Sequence, residues 1–258
     1  MNSSIPVPAE NRGQVSVCMA AYNGAAHIEE QIASILPQLA AGDELVIVDD
    51  ASTDNTAKIV EALEDPRIRL IRSAANRGYV KTFEAALTAS TGEYVFLSDQ
   101  DDVWIPGRVD AMVAELQEYE VVASNFGYFG QDPRKIGSLR LRASDSNRRL
   151  ANLLALWIGV RPYYGCAMGF RRSVRDVILP LPGFLTETHD QWIAMVGNLR
   201  GSITHLESNT LNRRLHESNA TPKKARSLLL ILRSRIMLAR AFAVAVARTR
   251  GLGGKRSR

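Results

Sequence analysis

Short, largely apolar runs at Val15–Ala21, 44–48, 68–71 and 94–97 alternate with stretches in which apolar residues recur every three or four positions. The runs read as buried strands and the stretches between them as helices. Asn23-Gly24 predicts a turn after the first run, followed by a helical face of Ile28, Ile32, Ile35 and Leu36. A second helix is expected over 54–63, with Ile59, Val60 and Leu63 on one side and Asp54 as its N-cap. A third spans 78–89 through Phe83, Ala86 and Leu87, and a fourth spans 106–119, started by Pro106 near its first turn. Strand–helix alternation at these lengths implies crossover units and a mostly parallel sheet.

Beyond Tyr119 the pattern loosens. A strand is expected at Val121–Phe129, a polar Arg- and Ser-rich loop over 131–147, and a helix over 148–158. A strand with two glycines follows at 164–170, then a helix over 188–199 and weaker strands at 203–206 and 211–215. No repeat at solenoid period and no low-complexity run is present.

Two strand ends carry acids: Val46-Ile47-Val48-Asp49-Asp50-Ala51-Ser52 and Val95-Phe96-Leu97-Ser98-Asp99-Gln100-Asp101-Asp102. Carboxylates placed there emerge at the carboxyl edge of a parallel sheet, where open α/β sheets bind ligands. Crowded acids repel unless a cation holds them. Asp99 and Asp101 offer oxygen ligands suited to Mg2+ or Mn2+, which substrate phosphates and water would complete. Taken alone, the same triplet also occurs in ordinary loops and helix starts, and Asp50 reads equally as a turn cap ahead of Ser52 and Asp54. Asp102 reads most simply as a cap for the helix that follows.

Charge sharpens the picture once it is divided. The net +5 of the 258 residues hides eleven Lys/Arg and no acid from Lys223 onward, leaving 21 basic against 27 acidic residues before it. An acidic body argues against nucleic acid as a partner, whereas the tail suits a polyanion. Two cysteines, Cys18 and Cys166, fit a reduced, cytoplasmic setting, and residues 1–14 form a polar, flexible start with no signal-peptide pattern. Neither G-x-G-x-x-G nor a P-loop follows the first strand, which disfavours dinucleotide and P-loop chemistry. An EF-hand match at Asp50, Ser52, Asp54, Thr56 and Glu61 fails, because Asn55 replaces the glycine and Lys58 sits at a ligand position. Asp99 to Val103 also spells the D-x-D-x-V of aspartyl-phosphate phosphatases, but after the fourth strand rather than the first.

The acidic segments come in a familiar order. Val15 to Asn23, Val46 to Asp54, Asn76-Arg77-Gly78, Ser98 to Trp104, Gly165-Cys166-Ala167-Met168, Thr188-His189-Asp190-Gln191-Trp192 and Arg214-Leu215-His216-Glu217-Ser218-Asn219 together resemble family-2 glycosyltransferases of the GT-A fold. The later motifs are most similar to bacterial rhamnosyltransferase-type members that build surface polysaccharide. Ala21 stands where many relatives carry Pro, and Ala51 where many carry Gly.

The resemblance implies an α/β, Rossmann-like GT-A domain over 15–219, with a nucleotide-binding half at 15–119 and an acceptor half at 120–219. It implies transfer, with inversion, of a hexosyl or deoxyhexosyl group from a UDP or dTDP sugar to a saccharide or lipid-linked acceptor. Asp50 would contact the base, with Tyr22 stacking near it, Ala20 lending backbone, and Asn76 and Gly78 shaping the adjoining loop. Asp99 would lie by the nucleotide, Asp101 and His216 would hold the metal, and Asp190 would be the general base, tuned by His189 unless that ring faces solvent. Cys166 and Met168 would line the acceptor side. A catalytically silent nucleotide-sugar-binding protein is the other reading the motifs allow.

Residues 220–258 form a basic, amphipathic tail. Arg226, Arg233 and Arg240 recur every seven positions with Arg248 nearby, among Leu, Ile, Met, Phe and Val. No apolar run of 18 residues occurs. The pattern fits a cationic helix lying on the anionic inner face of the cytoplasmic membrane through 223–258. The alternative is a helix packed on the domain or at a homodimer interface.

Overall fold

The computed structural model describes residues 12–129, 139–214 and 228–253. The flexible start expected over 1–14 lies mostly outside these residues, as do His216, the first part of the loop expected over 131–147 and both ends of the basic tail.

One eight-stranded sheet organises the chain. Strands β1 (Val15–Ala21), β2 (Glu44–Asp49), β3 (Ile68–Arg72) and β4 (Tyr94–Asp99) run parallel in the order β3-β2-β1-β4. The order reverses at β1, which has β2 on one side and β4 on the other. Such a reversal opens a crevice at the carboxyl ends of the strands. Side chains alternate strictly there. Val17, Met19, Leu45, Ile47 and Phe96 enter one core with helices α1 (Ile28–Ile35) and α4 (Arg108–Glu118). Cys18, Val46, Val48, Val95 and Leu97 enter the other, with α3 (Tyr79–Ala89) and α7 (His189–Arg200). Burial on both faces explains why these strands read as runs rather than as alternating patterns. Helix α2 (Thr56–Glu61) is shorter than expected. Asp54 does not cap it through the usual geometry but accepts from the Thr56 and Ala25 amides.

The second half completes the sheet differently. β6 (Val121–Phe129) and β7 (Met168–Arg171) are antiparallel neighbours, and β7 also pairs antiparallel with β4. The strand expected over 164–170 is half strand: Gly165–Ala167 forms a single 3-10 turn before β7. The two weak strands at the end are one long β8 (Ile203–Arg214), parallel to β6 across a bulge. Its far end pairs with a two-residue strand, β5 (Val103–Trp104), through Val103 with Asn212 and Trp104 with Leu211. That small ladder fixes Arg213 and Arg214 against the acidic segment preceding β5.

Helix α5 (Arg149–Ile158) and the short α6 (Arg175–Ile178) flank α7, and α8 (Leu228–Gly253) packs across all three. Ser234, Leu238, Ala241 and Ala245 form the buried stripe of α8. Of the arginines expected to face a membrane, Arg240 and Arg248 pack on the domain, Arg233 is exposed, and Arg226 lies outside the described residues. Arg248 donates to the carbonyls of Val177, Ile178 and Pro180 and lies over Trp192, Arg240 lies over Phe184, and Arg235 donates to the Ile158 carbonyl at 2.6 Å. Amphipathic spacing alone does not distinguish a helix that meets lipid from one that meets protein. Among the described residues, no helix is long and apolar enough to cross a membrane.

Candidate active site

The crevice is built from three loops that bind one another. After β1, Asn23 accepts from the Thr53 amide at 2.8 Å, and the Asn23, Gly24 and Ala25 amides donate to Ser52, Thr56 and Asp54. Gln100 pairs with the Tyr22 backbone in both directions, at 2.8 and 3.0 Å. A Cβ on Gly24 would strike the Gln100 amide and push it off the Tyr22 backbone, so glycine leaves room for this pairing. Tyr22 is thereby held with its ring exposed at the mouth, while Ala20 is in register with both Val48 and Asp99.

Asp50 is buried, and its carboxylate accepts from the Arg77 amide at 3.0 Å and the Gly78 amide at 2.8 Å. It therefore fixes the loop carrying Asn76 and Gly78 rather than capping a helix. Gly78 sits at φ 82°, a conformation that favours glycine. Asp49 beside it keeps one buried carboxylate oxygen without a partner among the described residues. Sequence reading had not singled out Asp49. Ala51 adopts φ 61°, where a Cβ costs about 1–2 kcal/mol, which accounts for glycine being common at this position in the resembling family. Ala51→Gly should raise stability by about 0.5–1 kcal/mol after the added freedom of the unfolded chain is deducted, as read from urea midpoints.

The acidic cluster lies across β1 from Asp50. Ligand atoms of Asp99, Asp102 and Cys166 fall within 4.8 Å of one another. Burial, then the charges around them, pushes both carboxyl groups above their ordinary range: Asp101 acts chiefly on Asp99, and Asp99 on Asp102. Asp102 accepts from the Arg214 amide at 3.2 Å, and its other oxygen is buried without a partner among the described residues. It does not cap α4, which begins six residues later behind Gly107. Burial also holds the Cys166 thiol well above its usual value, so it stays protonated.

Asp190 stands in the first turn of α7, held by the amides of Gln191, at 2.7 Å, and Gly165. Burial raises its carboxyl to about 6 against these hydrogen bonds and against Arg213. Asp190 also acts electrostatically on Asp99, so the two belong to one site. His189 faces neither the carboxylate nor solvent. It is buried, stacked on Phe83 at 4.4 Å between centroids, and burial depresses it to about 4, which keeps it neutral. A Cβ on Gly165 would lie 2.8 Å from the His189 ring, so glycine permits this packing.

Two buried arginines complete the site, and neither was singled out from sequence. Arg213 lies over Tyr164 and Phe126, at 4.7 and 5.3 Å to the ring centroids. Burial opposes its charge, but the acidic groups around it, Asp102 and Asp99 among them, outweigh that, and its pKa is raised. Arg108 lies over Trp104 and donates to Thr210 and to the Cys166 carbonyl, each at 2.6 Å. It ties α4, β8 and the Gly165 turn together. The periodicity of β8 gave no signal that Arg213 points into an acidic pocket.

A hard divalent cation fits this donor set. Raised, clustered carboxyl groups and an orphaned Asp102 oxygen describe a site where a cation can replace shared protons. A protonated thiol is a poor ligand for Mg2+ or Mn2+, which leaves Asp99 and Asp102 as the oxygen donors of this group; Asp101, the ligand expected from the motif, is not part of it.

Residues 16–179 match the family model Glycosyl transferase family 2. The chain belongs to that family. It is similar to the UDP-Glc:alpha-D-GlcNAc-diphosphoundecaprenol beta-1,3-glucosyltransferase WfgD of Escherichia coli, 30% identical over 43% of this chain and 47% of the relative. The fold matches S. aureus TarS 1–349 in complex with UDP-GlcNAc at a TM-score of 0.67, with 20% identity over 87% of this chain and 66% of that one. It also matches the mannosyltransferase PcManGT from Pyrobaculum calidifontis in complex with GDP-Man and Mn2+ at 0.59, with 20% identity over 98% and 78%. The chain spans 40 to 66% of the length of the first curated relatives it matches. The sheet is thus a GT-A sheet, and the phosphatase reading of the Asp99 segment lapses, since that motif ends the fourth strand.

Proposed function

We propose that this chain transfers a hexosyl or deoxyhexosyl group, with inversion, from a UDP or dTDP sugar to a saccharide or lipid-linked acceptor in bacterial surface polysaccharide synthesis. The observation that carries the reading is the meeting of Asp190, its carboxyl raised to about 6, with the Asp99–Asp102 cluster at the sheet's switch point. The nucleotide would lie along the carboxyl edge, its base by Tyr22, Ala20 and Asp50 and its ribose by Asp99. Asn76 and Gly78 would border it. Because Asp50 already accepts from two amides, a base N–H would take one of its remaining lone pairs.

Asp101 and Asp102, with Asp99, would hold Mn2+ or Mg2+ against the diphosphate; His216 is a further candidate outside the described residues. When bound, the cation offsets the charge that grows on the departing diphosphate. Asp190 takes the proton of the acceptor hydroxyl as that oxygen bonds to the anomeric carbon and the bond from that carbon to the phosphate oxygen breaks. Arg213 steadies the acidic wall beside it. The similarity to WfgD, named for a diphosphoundecaprenol acceptor, supports a lipid-linked acceptor and a place on the cytoplasmic face of the membrane.

Thermal unfolding with UDP, dTDP and GDP, with and without Mn2+, tests the reading. At about 100 times Kd, UDP or dTDP with Mn2+ should add about 2.7 kcal/mol, roughly 5–10 °C. No shift with any nucleoside diphosphate and metal would sink it.

A further inference from the structure

Helix α5 is apolar on both sides. Its inner side buries Asn152 and Leu156, yet its outer side carries Leu150, Leu154, Trp157 and Ile158, spaced at i, i+4, i+7 and i+8, with exposures of 83, 58, 47 and 50%. A surface helix ordinarily turns a polar face outward, so this stripe calls for a covering phase. The outer face of α8 continues it with exposed Leu229, Leu232 and Ile236, opposite the stripe that packs on the domain. The helices are joined where Arg235 reaches the Ile158 carbonyl, and between them runs an apolar groove of about 300 Å³ lined by Leu154, Trp157, Leu238 and Phe242.

We infer that the outer faces of α5 and α8 form a docking surface for an anionic lipid bilayer. Charge decides the occupant. Exposed Arg149 and Arg233 flank the stripes, and the sequence has no acid after Glu217. The nearby acids are engaged: Asp145 by Arg148 and Arg161, and Glu187 by Ser234 at 3.0 Å. Apolar residues bordered by arginines match acyl chains beneath anionic headgroups. A second copy of this chain would set these arginines against one another.

This surface differs from the heptad of tail arginines expected from sequence, since Arg240 and Arg248 are turned to the protein. Its position also serves the acceptor. The Ser234–Glu187 bond places the start of α8 beside the loop that leads, three residues later, to Asp190. A lipid-linked hydroxyl presented from the bilayer would therefore approach from the side of the candidate base, a consequence that rests on the glycosyl-transfer reading; the docking itself does not.

Trp157 is a built-in probe, because the other two tryptophans, Trp104 and Trp192, are buried. Vesicles of phosphatidylglycerol with phosphatidylcholine should shift its emission to the blue, brominated acyl chains should quench it, and salt should reverse both. Phosphatidylcholine alone should have little effect. Leu154→Glu and Arg233→Glu should each weaken vesicle binding at least tenfold and leave the response to UDP and Mn2+ unchanged. Unchanged emission with anionic vesicles would overturn the inference. So would lipid-free self-association that buries Trp157, read by sedimentation. An intact nucleotide response in those samples would show that lipid docking alone had failed.

Discussion

Replacing Asp190 by Asn should lower kcat by about 10²–10⁴-fold, the usual contribution of a positioned general base, while UDP binding in the presence of Mn2+ is unchanged. Asn keeps the volume and can still accept from the Gln191 and Gly165 amides, so the start of α7 should hold. What it loses is basicity. Burial lifts the Asp190 carboxyl to about 6, close to neutrality yet largely ionised there, which suits a group that must accept a proton and later release it. The wild-type kcat/KM should then fall about tenfold per pH unit below that value, because protonation removes the base. The residual rate of the variant should show no such limb. Full transfer by Asp190→Asn would remove Asp190 from the role.

The parts of this molecule that were legible in the sequence are those encoded locally. Val15–Ala21 and its three successors announce a parallel sheet because burial on both faces makes each strand a run, and acids directly follow the second and fourth runs. Asp50, Asp99 and Asp190 reach the site from strand ends and a helix start, which are local features. What stayed hidden depends on pairing between distant segments. The ladder of Val103–Trp104 with Leu211 and Asn212 brings Arg213 and Arg214 to the acids, and no periodicity in either segment announces it. Asp102 resembled a helix cap because Pro106 suggested an immediate helix, whereas Gly107 at φ 84° delays α4 to Arg108. The arginines of α8 illustrate the same limit. Their spacing was correctly seen, but whether an arginine meets a headgroup or a carbonyl is settled by the surface opposite it.

Arg213→Met should cost about 3 kcal/mol at neutral pH in EDTA, the scale for removing one partner of a buried ionic group. Met keeps much of the volume over Tyr164 and Phe126 but leaves Asp99 and Asp102 without their internal counter-charge. The sign of the pH dependence follows from their raised carboxyl values. A native state that holds carboxyl protons more tightly than the unfolded chain loses stability as pH rises through the folded pKa. Loss of Arg213 lifts those values further, so the variant's deficit should shrink on acidification from about pH 7.5 toward 5.5, the range in which its raised carboxyls take up protons. Asp102→Asn in the same chain should restore most of the loss at neutral pH, a coupling that independent sites would not show. Mn2+ should stabilise Arg213→Met more than wild type, because a divalent cation supplies the missing positive charge to the same carboxylates. Urea midpoints for the four chains of this cycle, at both pH values and with or without Mn2+, give every comparison. A deficit independent of pH, untouched by Asp102→Asn and indifferent to Mn2+ would reduce Arg213 to packing over Tyr164.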